Sequence, residues 1–160
     1  MKRFRFRLQK VLDAREVVER EAQRKLGEAQ RVLTELETVR NQIQTDIAQL
    51  TNEQRNMLGG TVTAGTAMQH HRWLRELEKR LRVQIDKCRD AEKAVAERRQ
   101  ELLDASRERK VLDRLKEKKR AEHMQLALKE QQATLDDIGG RAAARAESTS
   151  GQNPSAGYGS

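Results

Sequence analysis

The sequence predicts an all-α protein: two long helices that pair as an antiparallel coiled-coil hairpin, followed by a disordered C-terminal tail. Three observations predict this fold. Apolar residues recur every seven positions over most of the chain, a single glycine-rich segment interrupts them, and the composition suits long helices. Charged residues make up 36% of the chain and aromatic residues only 2%, so large side chains are too few for a compact globular core.

The first helix is predicted over residues 4–58. Residues seven apart form an unbroken file through it, and such a file keeps one stripe of a helix facing its partner. The file consists of Leu8, Arg15, Ala22, Ala29, Leu36, Ile43, Leu50 and Met57. Alongside it run Val11, Val18, Lys25, Val32 and Val39, with Leu12, Leu26, Leu33 and Ile47 on the neighbouring edge. Together these files predict the apolar stripe of the first helix.

A glycine-rich turn is predicted over residues 59–66, because its glycines permit the positive φ angles that a tight reversal needs. Thr66 is the predicted cap of the second helix, which covers residues 67–138. Its apolar stripe is expected to contain Leu74, Leu77, Leu81, Cys88, Ala91, Val95, Leu102, Ala105, Leu112 and Leu126. Gly139 and Gly140 are predicted to end this helix, leaving residues 139–160 as a flexible tail.

The two predicted helices differ in length, so the second should extend beyond the first from about residue 121. This overhang carries Leu126, Leu128, Leu135 and Ile138. An isolated amphipathic helix end is marginally stable in water, which favours contact with another protein. A frayed end that merely contains leucines is the alternative.

No arrangement of residues predicts catalysis, a cofactor or a metal site. His70 and His71 are adjacent and point about 100° apart on a helix, so they cannot face one metal together. His123 is distant from both. Asp136 and Asp137 lie on an expected exposed helix end with nothing apolar around them to shift a pKa. The sequence therefore predicts a non-enzymatic protein without a small-molecule substrate.

The net charge of +8 raises the question of nucleic-acid binding. The densest basic cluster, residues 107–120, holds eight basic and three acidic residues. The acids Glu108, Asp113 and Glu117 are interleaved with the bases, as on the solvated flank of a coiled coil, and aromatic residues for stacking on bases are missing. We therefore expect a solvated face and no nucleic-acid partner, with attraction to an acidic protein surface or lipid head groups as the alternative.

The N-terminus and the single cysteine bear on cellular location. The basic segment of residues 1–7 is followed by no apolar stretch long enough for a signal peptide or a membrane span. We therefore expect a cytoplasmic protein. Cys88 falls on the apolar stripe, which favours a small buried hydrophobe over a reactive thiol.

Five segments resemble the bacterial flagellar FliJ export proteins. These are residues 4–12 (FRFRLQKVL), 26–29 (LGEA), 72–79 (RWLRELEK), 130–138 (EQQATLDDI) and 141–145 (RAAAR). The resemblance spans residues 4–145, and the order of the segments around one mid-chain turn is its most specific feature.

This resemblance implies a two-helix antiparallel coiled coil similar to the central stalk of rotary ATPases. It implies a peripheral location on the cytoplasmic side of the membrane at the flagellar base. The implied partners are the flagellar export ATPase hexamer and its regulator, and the membrane export-gate protein, with export chaperones as further candidates. The implied role is to help couple ATP hydrolysis and the proton gradient to subunit export, and to act as a general chaperone.

Two binding regions are expected. By position, the family's export-gate patch falls on Trp73, Leu77, Arg80 and Gln84. The open end of the hairpin is expected to enter the ATPase ring, guided by the charge of residues 107–120, through Phe4, Phe6, Leu8, Leu126, Leu135 and Ile138.

Two other functions remain open at this point. One is the stalk protein of a non-flagellar type III secretion system, which would have a similar composition and which genomic neighbours would distinguish. The other is a generic basic structural or nucleic-acid-associated coiled coil, which predicts salt-sensitive DNA binding and no association with an ATPase.

Overall fold

The computed structural model describes residues 3–150, and the side chains of residues 3–148. It contains two long helices, α1 (Gln9–Met57) and α2 (Ala64–Ser150), and no strand among the described residues. The predicted all-α class with two paired helices is confirmed. Of the predicted flexible tail, residues 139–160, residues 139–150 are helical, and residues 151–160 lie outside the described part of the chain.

The chain divides into two units, Val11–Lys110 and a second unit that combines the N-terminal residues with α2 from Val111 onward. In Val11–Lys110 the helices run antiparallel, because residues early in α1 pair with residues late in this part of α2. The Arg109 Nε atom lies 2.9 Å from a Glu19 carboxylate oxygen, and Arg15 pairs with Glu108. Nearer the turn, the Gln84 side-chain amide donates a hydrogen bond of 2.9 Å to the Leu36 carbonyl.

The interface between α1 and α2 in this unit is built mainly from small side chains. The buried apolar residues of Val11–Lys110 are Leu12, Ala22, Leu77, Cys88, Ala91, Val95 and Ala105. Their spacing on α2 follows the seven-residue repeat, as predicted. Three alanines and a cysteine are among them, and such small side chains leave room for larger residues of a facing helix.

The valine file of α1 does not belong to this interface, contrary to expectation. Val11, Val18, Val32 and Val39 are 44–50% exposed. The neighbouring edge, with Leu12, Leu26, Leu33 and Ile47, faces α2 instead. Adjacent positions on a helix differ by about 100°, so only one of the two files can point at the partner.

Helix α1 begins at Gln9, five residues later than predicted. Residues 3–6 are non-helical and their burial alternates, with Phe4 and Phe6 half-buried and the neighbouring arginines exposed. The Gln9 amide donates to the Phe6 carbonyl at 3.1 Å and closes the turn that leads into the helix. Arginines close to a helix N-terminus oppose the positive end of its dipole, which disfavours an earlier start.

The turn between the helices also differs in detail from the prediction. Helix α1 ends at Met57, and Thr63 rather than Thr66 caps α2: the Thr63 carbonyl accepts from the Thr66 and Ala67 amides at 3.1 and 3.2 Å. The Thr63 hydroxyl lies 2.8 Å from that of Thr66. No described glycine adopts a positive φ. The reversal is made instead by hydrogen bonds from Gly59 and Gly60 to carbonyls three residues earlier.

Helix α2 continues through Gly139 and Gly140 to Ser150, so the predicted helix end at residue 138 is wrong. A glycine inside a helix costs only about 1 kcal/mol relative to alanine. Strong helix formers follow the pair, and Arg141 bridges back to Asp137 at 2.9 Å, across both glycines. Because neither glycine has a positive φ, the pair does not form a helix cap here.

Candidate functional site

Trp73 is the largest of the exposed apolar side chains of Val11–Lys110. Its exposed fraction is 62%, near the start of α2 where the turn leads into the helix. It lies between two shallow grooves of about 350 and 380 Å³. We call the residues around it the Trp73 surface. They are Leu50, Glu53, Thr66, Gln69, His70, Arg72, Trp73, Glu76, Leu77 and Arg80.

The four residues expected at the export gate divide into two pairs. Trp73 and Arg80 are exposed, and the Arg80 guanidinium lies 3.8 Å from the Glu76 carboxylate one helical turn away. Leu77 and Gln84 are only 7% and 6% exposed and face α1. Trp73 and Arg80 therefore lie on the outer surface, Leu77 lines the groove beside them, and Gln84 is hydrogen-bonded to the Leu36 carbonyl of α1.

Helix α1 also contributes to the Trp73 surface, which sequence reasoning missed. Leu50 and Glu53 line the groove beside Trp73, together with His70 of α2. The sequence did carry a signal for this contact. In an antiparallel pair whose turn is centred near residue 62, residue 50 lies opposite residue 74.

In the second unit, the N-terminal segment lies along α2 and encloses a groove of about 530 Å³, which we call the N-terminal groove. Its walls contain the expected apolar residues Phe4, Phe6, Leu8 and Leu126. Leu115 and His123, which sequence reasoning did not include, complete them. The remaining lining residues are Arg5, Arg7, Lys119 and Glu122.

An edge-on aromatic contact fastens the N-terminal segment to α2. The rings of Phe4 and His123 are 5.6 Å apart and inclined at 61°, a geometry favoured for aromatic pairs. On the rim, the Lys119 ammonium donates to Glu122 at 2.8 Å. This hydrogen bond holds the pKa of the Glu122 carboxyl below its ordinary value, so the groove has a paired, polar rim.

The expected ring-binding residues of α2 fall on two different faces. Leu126 lines the N-terminal groove. Met124, Leu128, Leu135 and Ile138 are spaced so that they lie within about 80° of one another on a helix, with Leu126 on the opposite side. We call these four residues the distal stripe. All four are between 56% and 66% exposed, so the distal stripe is an apolar face of α2 open to solvent.

Carboxylates of the chain pair with part of the basic cluster of residues 107–120. Arg107 lies 3.8 Å from Asp104, and Lys119 lies 2.8 Å from Glu122. These pairs agree with the interpretation of the cluster as a solvated flank with interleaved charges.

Other classes of site find no support in the described residues. Within this part of the chain, no three His, Cys, Asp or Glu side chains come together as a metal site would require. Cys88 is buried at 2% exposure, as the sequence predicted. None of the described helices has a stretch that is both long and apolar enough to span a membrane.

A known protein family matches most of the length of the chain. Residues 4–148 match the model of the family described as Flagellar FliJ protein. The chain belongs to the FliJ family. The resemblance found in the sequence is thereby confirmed, and FliJ proteins are non-enzymatic components of the flagellar protein export apparatus. None of the curated proteins and none of the solved structures matches this FliJ-family chain.

Proposed function

We propose that this FliJ-family protein is a stalk-like coupling component that bridges the flagellar export ATPase ring and the membrane export gate. The observation that supports this proposal most directly is that the chain exposes apolar surface in two separate places. The Trp73 surface lies near the start of α2, and the distal stripe lies near its end. A protein that links two partners needs two such surfaces, whereas a protein that binds one partner needs only one.

The Trp73 surface is proposed to bind the export gate. Exposed aromatic side chains flanked by arginine are typical of residues that dominate the affinity of protein interfaces. Trp73 and Arg80 supply that combination. The grooves on both sides of the indole would accept side chains of the partner, and Leu50 extends the apolar contact onto α1.

The distal stripe and the N-terminal groove are proposed to bind the ATPase ring and its regulator. The stripe exposes four large apolar side chains on one face of α2, which suits the helix-in-groove mode of recognition. The same apolar surfaces would serve the general chaperone role, by holding export chaperones. This function places the protein at the cytoplasmic side of the membrane at the flagellar base.

Binding to the export-gate protein tests the first half of the proposal. Trp73→Ala and Arg80→Ala should each weaken binding at least severalfold without changing helicity, because both side chains are exposed. Val83→Ala is the matched control, since Val83 is a 55% exposed apolar residue of α2 outside the Trp73 surface. Undiminished binding by both variants would place the gate contact elsewhere.

Stimulation of the purified ATPase hexamer tests the second half. The triple variant Leu128→Ser, Leu135→Ser and Ile138→Ser should lose most of the stimulation. The control variant carries the same three changes at Lys129, Gln132 and Asp136, which lie on another side of the helix. Equal stimulation by the two variants would contradict the proposed role of the distal stripe, and circular dichroism shows whether both remain helical.

A further inference from the structure

The exposed valines of α1 form a regular surface that neither proposed partner uses. Val11, Val18, Lys25, Val32 and Val39 are seven residues apart and lie on one edge of the helix, beside the interface with α2. The stripe is about 42 Å long at the helical rise per residue. The exposure of its valines is nearly constant, at 44%, 48%, 50% and 47%. We call this surface the valine stripe.

A seven-residue apolar repeat is typical of a surface that packs against another helix along its whole length. In α1 a first repeat is already used to pack against α2, through Leu12 and Ala22 among others. The valine stripe is a second repeat on the same helix. Its length and regularity favour a long helix as the occupant, rather than a loop or a small ligand.

The order of residues in the valine stripe is symmetric about its centre. Two valines, seven and fourteen residues away, stand on each side of Lys25. When two copies of the stripe are laid antiparallel around a twofold axis at Lys25, Val11 faces Val39 of the other copy and Val18 faces Val32. A twofold interface requires a surface that is complementary to itself in this way.

The charges at the centre fit the same arrangement. Arg24 donates to Glu21 at 2.6 and 3.0 Å and also pairs with Glu28. Among the described side chains, Lys25 forms no ion pair. In the antiparallel arrangement each Lys25 lies within one helical turn of Glu21 and Glu28 of the other copy. The centre therefore carries balanced charge, although the two lysines face each other.

We propose that the valine stripe is a self-association surface, on which a second copy of the chain packs its own α1 antiparallel around a twofold axis at Lys25. Two copies of the hairpin formed by Val11–Lys110 then make a four-helix bundle. The valines of one copy bury those of the other, and each Lys25 lies within one helical turn of Glu21 and Glu28 of the opposite copy. The Trp73 side chain takes no part in this interface.

Sedimentation equilibrium of the full chain over a wide range of concentrations tests the association. A monomer–dimer equilibrium is expected, and Val18→Glu should raise the dissociation constant by about tenfold or more, because a buried carboxylate is costly and occurs twice in the dimer. Val17→Glu is the matched control: Val17 is 63% exposed and points about 100° away, so dimerisation should persist. A chain that remains monomeric throughout, or equal effects of the two variants, would overturn the proposal.

Disulfide cross-linking tests the register without depending on a destabilising change. In a Cys88→Ala background, which removes the only native thiol, Lys25→Cys should form a disulfide-linked dimer on oxidation. Val18→Cys alone should not, because its counterpart lies about 21 Å away along the antiparallel partner. A mixture of Val18→Cys and Val32→Cys chains should cross-link. Cross-linking of Val18→Cys alone as fast as that of the mixture would exclude the antiparallel register.

Discussion

Residues 64–110 and residues 128–148 belong to one continuous helix, yet they bury their apolar side chains very differently. The first part packs Leu77, Cys88 and Val95 against α1, each at most 7% exposed. In the second part every described side chain is exposed, including Leu135 at 66%. The sequence of both parts is amphipathic. The presence of α1 beside one part therefore decides which leucines stabilise the monomer and which remain available to a partner.

The largest effect should come from Leu12, the largest fully buried side chain among the described residues. Leu12→Ala should lower the free energy of unfolding by about 2–5 kcal/mol, through lost apolar burial and the cavity left behind. Thermal or denaturant unfolding followed by circular dichroism measures this. Val17→Ala, on the exposed side of the same helix, is the control and should change stability little. Similar losses in both variants would mean that α1 does not pack as described.

A smaller loss is expected from overpacking the small residues between the helices. Ala91→Leu or Ala105→Leu should cost about 1–3 kcal/mol, because both alanines are at most 9% exposed and have little room for a larger side chain. The same change at Ala143, which is exposed in the last part of α2, should cost nothing measurable. This pair of measurements tests the comparison directly, since only the paired part of the helix should resist a larger side chain.

Replacing the glycines near the end of α2 should increase stability instead of lowering it. Gly139→Ala and Gly140→Ala should each stabilise the local helix by about 0.5–1 kcal/mol, because no atom lies within 4 Å of an added methyl group and neither φ is positive. Hydrogen exchange of the amides around residue 140 should slow, while the unfolding transition of Val11–Lys110 stays unchanged. Faster exchange would show that the glycines end the helix after all.

The smallest effect on stability is expected when the pH is lowered. The hydrogen bond from Lys119 lowers the pKa of Glu122 in the folded state, so the pair stabilises the helix at pH values above the unfolded pKa of glutamate. That contribution is lost as the pH falls through the lower, folded pKa. The protection factors of the amides near residue 122, which are exchange rates relative to the intrinsic rate at each pH, should fall over this acidic range. Glu122→Gln should abolish the pH-dependent part, and an unaltered pH profile in that variant would contradict this prediction.

Much of the fold could be predicted because it depends on local pattern. The seven-residue repeat identified both helices and the buried position of Cys88, and the short turn between the repeats predicted their antiparallel pairing. The helix ends were less predictable. Gly139 and Gly140 were expected to end α2, but the strong helix formers that follow them and the bridge from Arg141 to Asp137 outweigh their cost. Such a balance of small free energies is not visible in the pattern alone.

The candidate site could be predicted only in part, for a geometric reason. Family position indicated Trp73 and Leu77 alike, yet the first is 62% exposed and the second 7%. They are four residues apart and share one side of α2, and their exposure differs because α1 covers only the second. Leu50 and His123 were missed because their neighbours come from distant parts of the sequence.

The sequence by itself determined the helices, the antiparallel pairing and, through its segments, membership of the FliJ family. Periodicity, composition and the short turn are sufficient for the helices and their pairing, because backbone hydrogen bonds within a helix are local and an apolar stripe requires a partner. Only the tertiary structure decided which apolar file of α1 faces α2 and which is exposed. Leu12 and Val11 are adjacent and similar in hydrophobicity, but the first is 1% exposed and the second 44%. Neighbouring positions point about 100° apart, so the contact between the two helices buries one file and leaves the valine stripe open to solvent.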